Sequence, residues 1–154
     1  MLNRFEQFSV AIAGIHRYIQ KLERSEMEKS GFKGAFAQYL VVLRRYPNGV
    51  TSSQLCEICD KDKAAISRIV AEMEEKELVF RTGGRDGRYR ALLQLTEKGQ
   101  QTAAHVCDKV KTAVEAVGRA VSDEERASMY AALELIASTL DRLSKEGIPG
   151  DAVD

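Results

Sequence analysis

Apolar residues near both ends of the chain recur at alternating intervals of three and four. Phe5, Phe8, Ile12, Ile15, Ile19 and Leu22 do so near the start, and Met129, Leu133, Ile136, Leu140 and Leu143 near the end. That spacing describes a helix with one narrow apolar stripe, suited to packing on another helix. Gly31 and Gly34 break the first helix. Ser122 and Glu125 form an S-x-x-E capping box that opens the last one, and Gly147 and Pro149 stop it. A further helix carries Val106, Val110, Ala113 and Val117 and ends near Gly118. These helices offer more stripe than a small central domain can cover. The economical arrangement is a helical lobe, residues 1–32 and 100–147, shared between two subunits, because a two-fold axis pairs identical stripes with each other. Residues 148–154 are expected to form a disordered tail.

The rest of the composition narrows the class. A chain of 154 residues with 44% hydrophobic and 30% charged residues suits one globular domain, or a central lobe plus an oligomerisation lobe. Only Pro47 and Pro149 interrupt it, so long helices are permitted almost throughout. No run approaches the roughly 20 apolar residues of a membrane span. Glu6 and the polar residues around it are unlike a secretory signal. Three cysteines, an odd number, argue against a disulfide framework, so a cytoplasmic protein is expected. There is no phosphate loop, nucleophile motif or clustered acid–base set. The two histidines lie on separate helices, so neither an enzyme nor a bound metal or cofactor is expected.

The middle differs in character. Phe36–Tyr46 reads as a helix with Phe36, Leu40 and Leu43 inward, ending at the turn Pro47-Asn48-Gly49. Thr51 and Gln54 make a second capping box, opening a short helix that carries Leu55 and Ile58. After a break at Cys59-Asp60-Lys61, Asp62 is a good N-cap for a helix from Lys63 to about Lys76, with Ile66, Ile69, Val70 and Met73 inward. Leu78-Val79-Phe80 and Ala91–Leu95 read as strands, and the segment between them holds three glycines and four arginines. A short helix, a turn, a second helix and a basic hairpin follow the order of a winged helix-turn-helix. The expected fold is therefore mainly α with a small β wing, the reading lobe spanning residues 33–99.

Charge is distributed to match. Residues 33–98 hold 12 Lys/Arg against 9 Asp/Glu, a surplus of three positive charges, whereas from residue 99 onward 6 face 10, a surplus of four negative charges. Helical spacing places Lys63, Ala64, Ala65, Ser67 and Arg68 on the outer face of the second helix. There, small residues allow close approach to base edges of double-stranded DNA, and the polar ones reach bases or phosphates. Thr51, Ser52 and Ser53 offer hydroxyls and helix N-terminal N–H groups to a phosphate. In the hairpin, Arg85 and Arg88 are placed to meet the minor groove, with Asp86 holding one of them.

The runs QYLVVLRRYPNGVTSSQL, DKAAISRIVAEMEEKELV and LLQLTEKG together resemble the MarR family of bacterial transcription regulators, over Ala35 to Gly99. The resemblance implies a homodimer on a pseudo-palindromic operator, usually a repressor released by a small ligand or by oxidation. It also implies a D-x-R motif at a set distance before L-T. Here Asp86-Gly87-Arg88 lies one residue upstream, which puts Tyr89 where that arginine belongs. Either the wing is one residue longer and Arg88 keeps the role, the favoured reading, or Arg90 takes it over. Glu77 stands where the family usually has Gly. Left-handed geometry there would strain a non-Gly residue by about 1–2 kcal/mol, which predicts a different helix ending.

Family effectors lodge between the lobes, which here points to His16 and Tyr39. Cys56 and Cys59 form C-x-x-C on one helical face, so a redox- or metal-responsive regulator is an alternative. Packing is the commoner role for such cysteines, Cys107 included. Zero net charge and the shifted wing motivate a third reading, a winged-helix interaction module that binds no DNA.

Overall fold

The computed structural model describes residues 3–83 and 91–150. Six helices and two strands follow in the order α1 (Arg4–Lys29), α2 (Phe36–Arg44), α3 (Ser52–Cys59), α4 (Lys63–Glu75), β1 (Val79–Thr82), β2 (Leu92–Leu95), α5 (Glu97–Gly118) and α6 (Asp123–Glu146). The chain divides into two compact units, Met1–Thr112 and Ala113–Asp154. The division falls inside α5, and the C-terminal part of α1, through Met27, packs into the core that α2 shares.

In the first unit the core gathers Met27, Phe36, Leu40, Leu43, Leu55, Ile66, Val70, Met73, Leu78, Leu93 and Val106, all nearly or fully out of reach of solvent. Each such side chain contributes about 1.5–3 kcal/mol by leaving water. The inward stripes expected of α2 and α4 are among them; Ile69 is only half-buried. α2 stops at Arg44, two residues before the expected end, and a turn through Pro47 follows. Gly49 has a φ of +88°, and an added Cβ would meet Gln94 Cγ at 2.9 Å and Leu93 O at 3.1 Å. Only glycine lets this turn close there. Val50 can then exchange hydrogen bonds with Leu93, Val50 N donating at 3.1 Å and Leu93 N donating back at 2.7 Å.

β1 and β2 pair antiparallel, Val79 opposite Leu95 and Thr82 opposite Leu92. Both strands are displaced by a residue or so from the sequence expectation, since Leu78 serves the core before pairing begins.

In the second unit, the expected capping box opens α6. Glu125 N donates to Ser122 Oγ at 3.2 Å, and Ser122 N donates to Glu125 Oε2 at 2.9 Å. Arg126 closes the corner between α5 and α6 by donating to Gly118 O at 2.7 Å and Val121 O at 3.2 Å. α6 buries none of its described residues, and Met129, Leu135 and Leu140 stand exposed. In the first unit, Phe5, Ile12, Ile15 and Leu22 of α1 are likewise exposed. No described helix is long and apolar enough to cross a membrane.

Candidate nucleic-acid interface

The candidate site is built on α3 and α4. The capping box expected for α3 is present, with Gln54 N donating to Thr51 Oγ1 at 3.2 Å and Thr51 N donating to Gln54 Oε1 at 2.9 Å. The Thr51 hydroxyl thus accepts within the chain, which leaves its own proton to donate. Ser52 is half-buried and Ser53 exposed. α3 ends at Asp60, whose φ of 50° turns the chain sharply toward α4. Asp62 then caps α4, accepting from Ala65 N at 2.7 Å.

With Ile66, Val70 and Met73 buried, α4 presents Lys63, Ala64, Ser67 and Arg68 as exposed residues along its first half, with Ala65 half-buried beside them. The outer face thus holds two cations, a hydroxyl and small side chains. The second half of α4 is engaged elsewhere. Glu72 pairs with Lys33, and Glu74 accepts from Arg81 Nε at 2.8 Å. Such partly exposed pairs contribute little to stability, yet they engage Glu72 and Glu74, two of the three acids of α4. Neither pairing was legible in the sequence, because partners 39 and 7 residues away follow no local spacing rule.

α4 ends as the family pattern would have it. Glu77 takes a left-handed φ of 58° although it is not glycine, so the different ending expected from the residue type does not occur. Leu78 N donating to Met73 O at 2.9 Å closes the turn. The wing arginines Arg85, Arg88 and Arg90, with Asp86, lie outside the described residues.

His16 is exposed on α1, while Tyr39 is buried in the core of the first unit, where burial raises its hydroxyl above the usual phenolic range. The Glu23 carboxyl, half-buried on α1, is also raised by burial, against the opposing pull of Arg45 and His16. A concavity of about 460 Å³, lined by Arg44, Tyr46, Phe80, Gln94, Gln101 and Ala104 among others, includes neither His16 nor Tyr39. Cys56, Cys59 and Cys107 are half-buried against the core. Burial pushes the Cys59 thiol above its ordinary range; Lys61 opposes this and Cys56 adds to it. Among the described residues no group of three potential ligands gathers for a metal ion.

Comparison with known proteins places this arrangement. Residues 30–88 match the sequence model of the MarR family. A Thauera aromatica protein named as the transcriptional regulatory protein for the hcr operon is 27% identical over 123 residues, covering 80% of this chain and 71% of its own length. A MarR-family regulator of Listeria monocytogenes, solved with a 26-mer DNA, superposes with a TM-score of 0.72 at 19% identity, over 96% of this chain and 97% of its own. A MarR regulator of Methanosarcina mazei does so with a TM-score of 0.76 at 22% identity, over 93% and 94%. Residues 30–88 of this chain thus match the MarR family model, and its fold is similar to that of the MarR-family regulators of Listeria and Methanosarcina over 93–96% of its length.

Proposed function

We propose that this chain works as a homodimeric, sequence-specific DNA-binding regulator on a pseudo-palindromic operator, as a repressor that a small ligand releases. The observation that carries it is the division of α4: a first half exposing Lys63, Ala64, Ser67 and Arg68, and a second half tied into the fold. A helix held at its far end and free at its near end is what the major groove requires. Arg85, Arg88 and Arg90 are assigned to the flanking minor groove, with Asp86 ordering one of them. Thr51, Ser52 and Ser53 are assigned to a phosphate, Thr51 through the proton of its hydroxyl. The Listeria relative, bound to a 26-mer, shows a chain of this fold on DNA, and two half-sites about 10 bp apart fit that length. The dimer would be formed by the exposed stripes of the terminal helices, lobe residues 1–32 and 100–147. The effector is assigned to the neighbourhood of His16 and Tyr39.

Selection of bound fragments from the source genome tests the reading. Enrichment of a two-half-site sequence is expected, and Arg68→Ala should weaken its binding by about 1–3 kcal/mol. An Arg68→Ala chain binding as tightly as the parent removes the assignment of α4. Failure to enrich any site favours the interaction module instead. The redox alternative has Cys56 and Cys59 on one face of α3 in its favour, but the raised Cys59 thiol is a slow nucleophile at neutral pH.

A further inference from the structure

The second half of α3 carries a pair of thiols that the proposed DNA contacts leave unused. Cys56 and Cys59 stand three residues apart within the helix, both half-buried against the core cluster. Residues so spaced share a helical face, with Cβ atoms about 5–6 Å apart. A disulfide needs Cβ atoms about 3.5–4.5 Å apart, so an intact α3 holds this pair too wide for one. An ion between the sulfurs suits the wider spacing, because it puts two metal–thiolate bonds of about 2.3 Å each in place of one S–S bond of about 2.0 Å. The surroundings restrict which ion. Among the described residues no third His, Cys, Asp or Glu joins the pair. Zinc takes four ligands in structural sites and three plus a water in catalytic ones, so two thiols fall short of it. Thiolates select soft ions, and copper(I), soft and closed-shell, is satisfied by two of them in line. Leu55, beside Cys56, is fully buried, and the buried Tyr39 lies near enough to Cys59 to feel its charge. Half-burial thus closes one side of the pair to water and leaves the other open for entry. From the turn that follows, where Lys61 N donates to Cys56 O at 3.0 Å, the Lys61 ammonium favours the Cys59 thiolate.

We propose that Cys56 and Cys59 bind one copper(I) ion as a two-thiolate site at the end of α3. Binding exchanges two protons for the ion: both S–H bonds break, two S–Cu bonds form, the protons pass to solvent, and nothing is oxidised or reduced. The bound group carries one net negative charge, which Lys61 offsets. Desolvation that keeps Cys59 protonated works against a bare thiolate, but the ion supplies positive charge in the proton's place. The site stands whether or not the chain binds DNA, since all its residues lie in the first unit and its test reads the metal alone.

The test uses the full-length chain, reduced and kept free of oxygen, titrated with copper(I) held by bicinchoninate, whose colour reports what the protein withdraws. One ion per chain is expected, with two protons released per ion in weakly buffered solution at neutral pH. Cys56→Ser and Cys59→Ser should each weaken binding by about a hundredfold or more, the gain that a second linked ligand gives. Cys107→Ser, on α5, should keep the parent affinity. X-ray absorption of the loaded chain should show two sulfur neighbours and no nitrogen or oxygen. A parent chain that leaves the copper(I) with the competitor overturns the site. So does a third ligand in the absorption spectrum, or a loss in Cys107→Ser equal to that in Cys56→Ser. Should the serine variants at positions 56 and 59 fail to fold, the Cys107→Ser chain decides, because Cys56 and Cys59 are then its whole set of thiols. One ion with two sulfur neighbours in that chain upholds the site, and any smaller number sinks it.

Discussion

Glu77 is where residue type and backbone disagree. Its φ of 58° lies in the left-handed region, which a side chain makes unfavourable by about 1–2 kcal/mol. The surroundings impose it: Leu78 must reach the core while Met73 O accepts its N–H, and Thr96 holds the Glu77 carbonyl. Glu77→Gly should therefore stabilise the protein by up to about 1 kcal/mol, the relief being partly offset by the larger entropy of an unfolded glycine. A denaturant midpoint that moves downward would show that no strain is stored there. The sequence revealed that Glu77 stood at an unusual place but led to the wrong ending for α4, because the contacts that force the turn come from Thr96, nineteen residues on. Thr51 teaches a similar lesson on a smaller scale. Its capping role was legible from Gln54 three residues later: its hydroxyl oxygen accepts from Gln54 N and its own N–H donates to the Gln54 side chain.

At the scale of elements, local signals were reliable wherever the bonding partner is close in sequence. Both expected capping boxes are present, and a third, Asn3 with Glu6 at the start of α1, follows the same rule from a residue type not singled out beforehand. The box of α6 carries a pH dependence. Ser122, through its backbone N–H and then its hydroxyl, holds the Glu125 carboxyl below its ordinary value. A carboxyl with a folded value below its unfolded one adds stability that is complete above the unfolded value and is lost as pH falls through the folded value. Ser122→Ala removes the cap, a change of about 1 kcal/mol at neutral pH. The difference between parent and variant should shrink as pH falls below the ordinary carboxylate range and through the lowered value at which Glu125 takes up its proton. Paired denaturation curves at neutral pH and along the acid limb measure it, and a difference that does not narrow would contradict the share of the Ser122 hydroxyl in holding Glu125, since the alanine variant keeps the backbone N–H. The strand bounds were less legible than the helix caps, since pairing is decided by the partner strand rather than by neighbours along the chain.

For the whole molecule, the informative feature is apolar surface left over. Ile15, at 56% exposure, Leu22 and Phe5 on α1, and Leu135 and Leu140 on α6, stand in solvent in the single chain. Soluble monomers seldom leave such stripes uncovered, and the proposed dimer would cover them by self-pairing about a two-fold axis. Ile15→Glu combined with Leu140→Glu should shift the chain from dimer to monomer in light scattering at micromolar concentration, with the DNA affinity falling alongside. A parent chain that is already monomeric under those conditions would remove the dimer from the proposal. Zero net charge, which counted against a DNA partner, loses its weight once the charges are located: Glu72 and Glu74 are paired inside the fold, while Lys63 and Arg68 remain exposed.

Periodicity and caps alone determined that this chain is helical at both ends, with a short helix, a turn, a second helix and a strand pair between them. These follow from bonds made within a few residues, which any reader of the sequence can count. Only the tertiary structure decided how α4 and the residues after it are held: Lys33 and Arg81 pair with Glu72 and Glu74, Thr96 and Lys98 bond the Glu77 and Lys76 carbonyls, and Gly99 brings α5 within contact of Leu78. Those contacts join segments that the chain brings together by folding. No spacing rule connects them, because their distance along the sequence is set by the core and not by the helix.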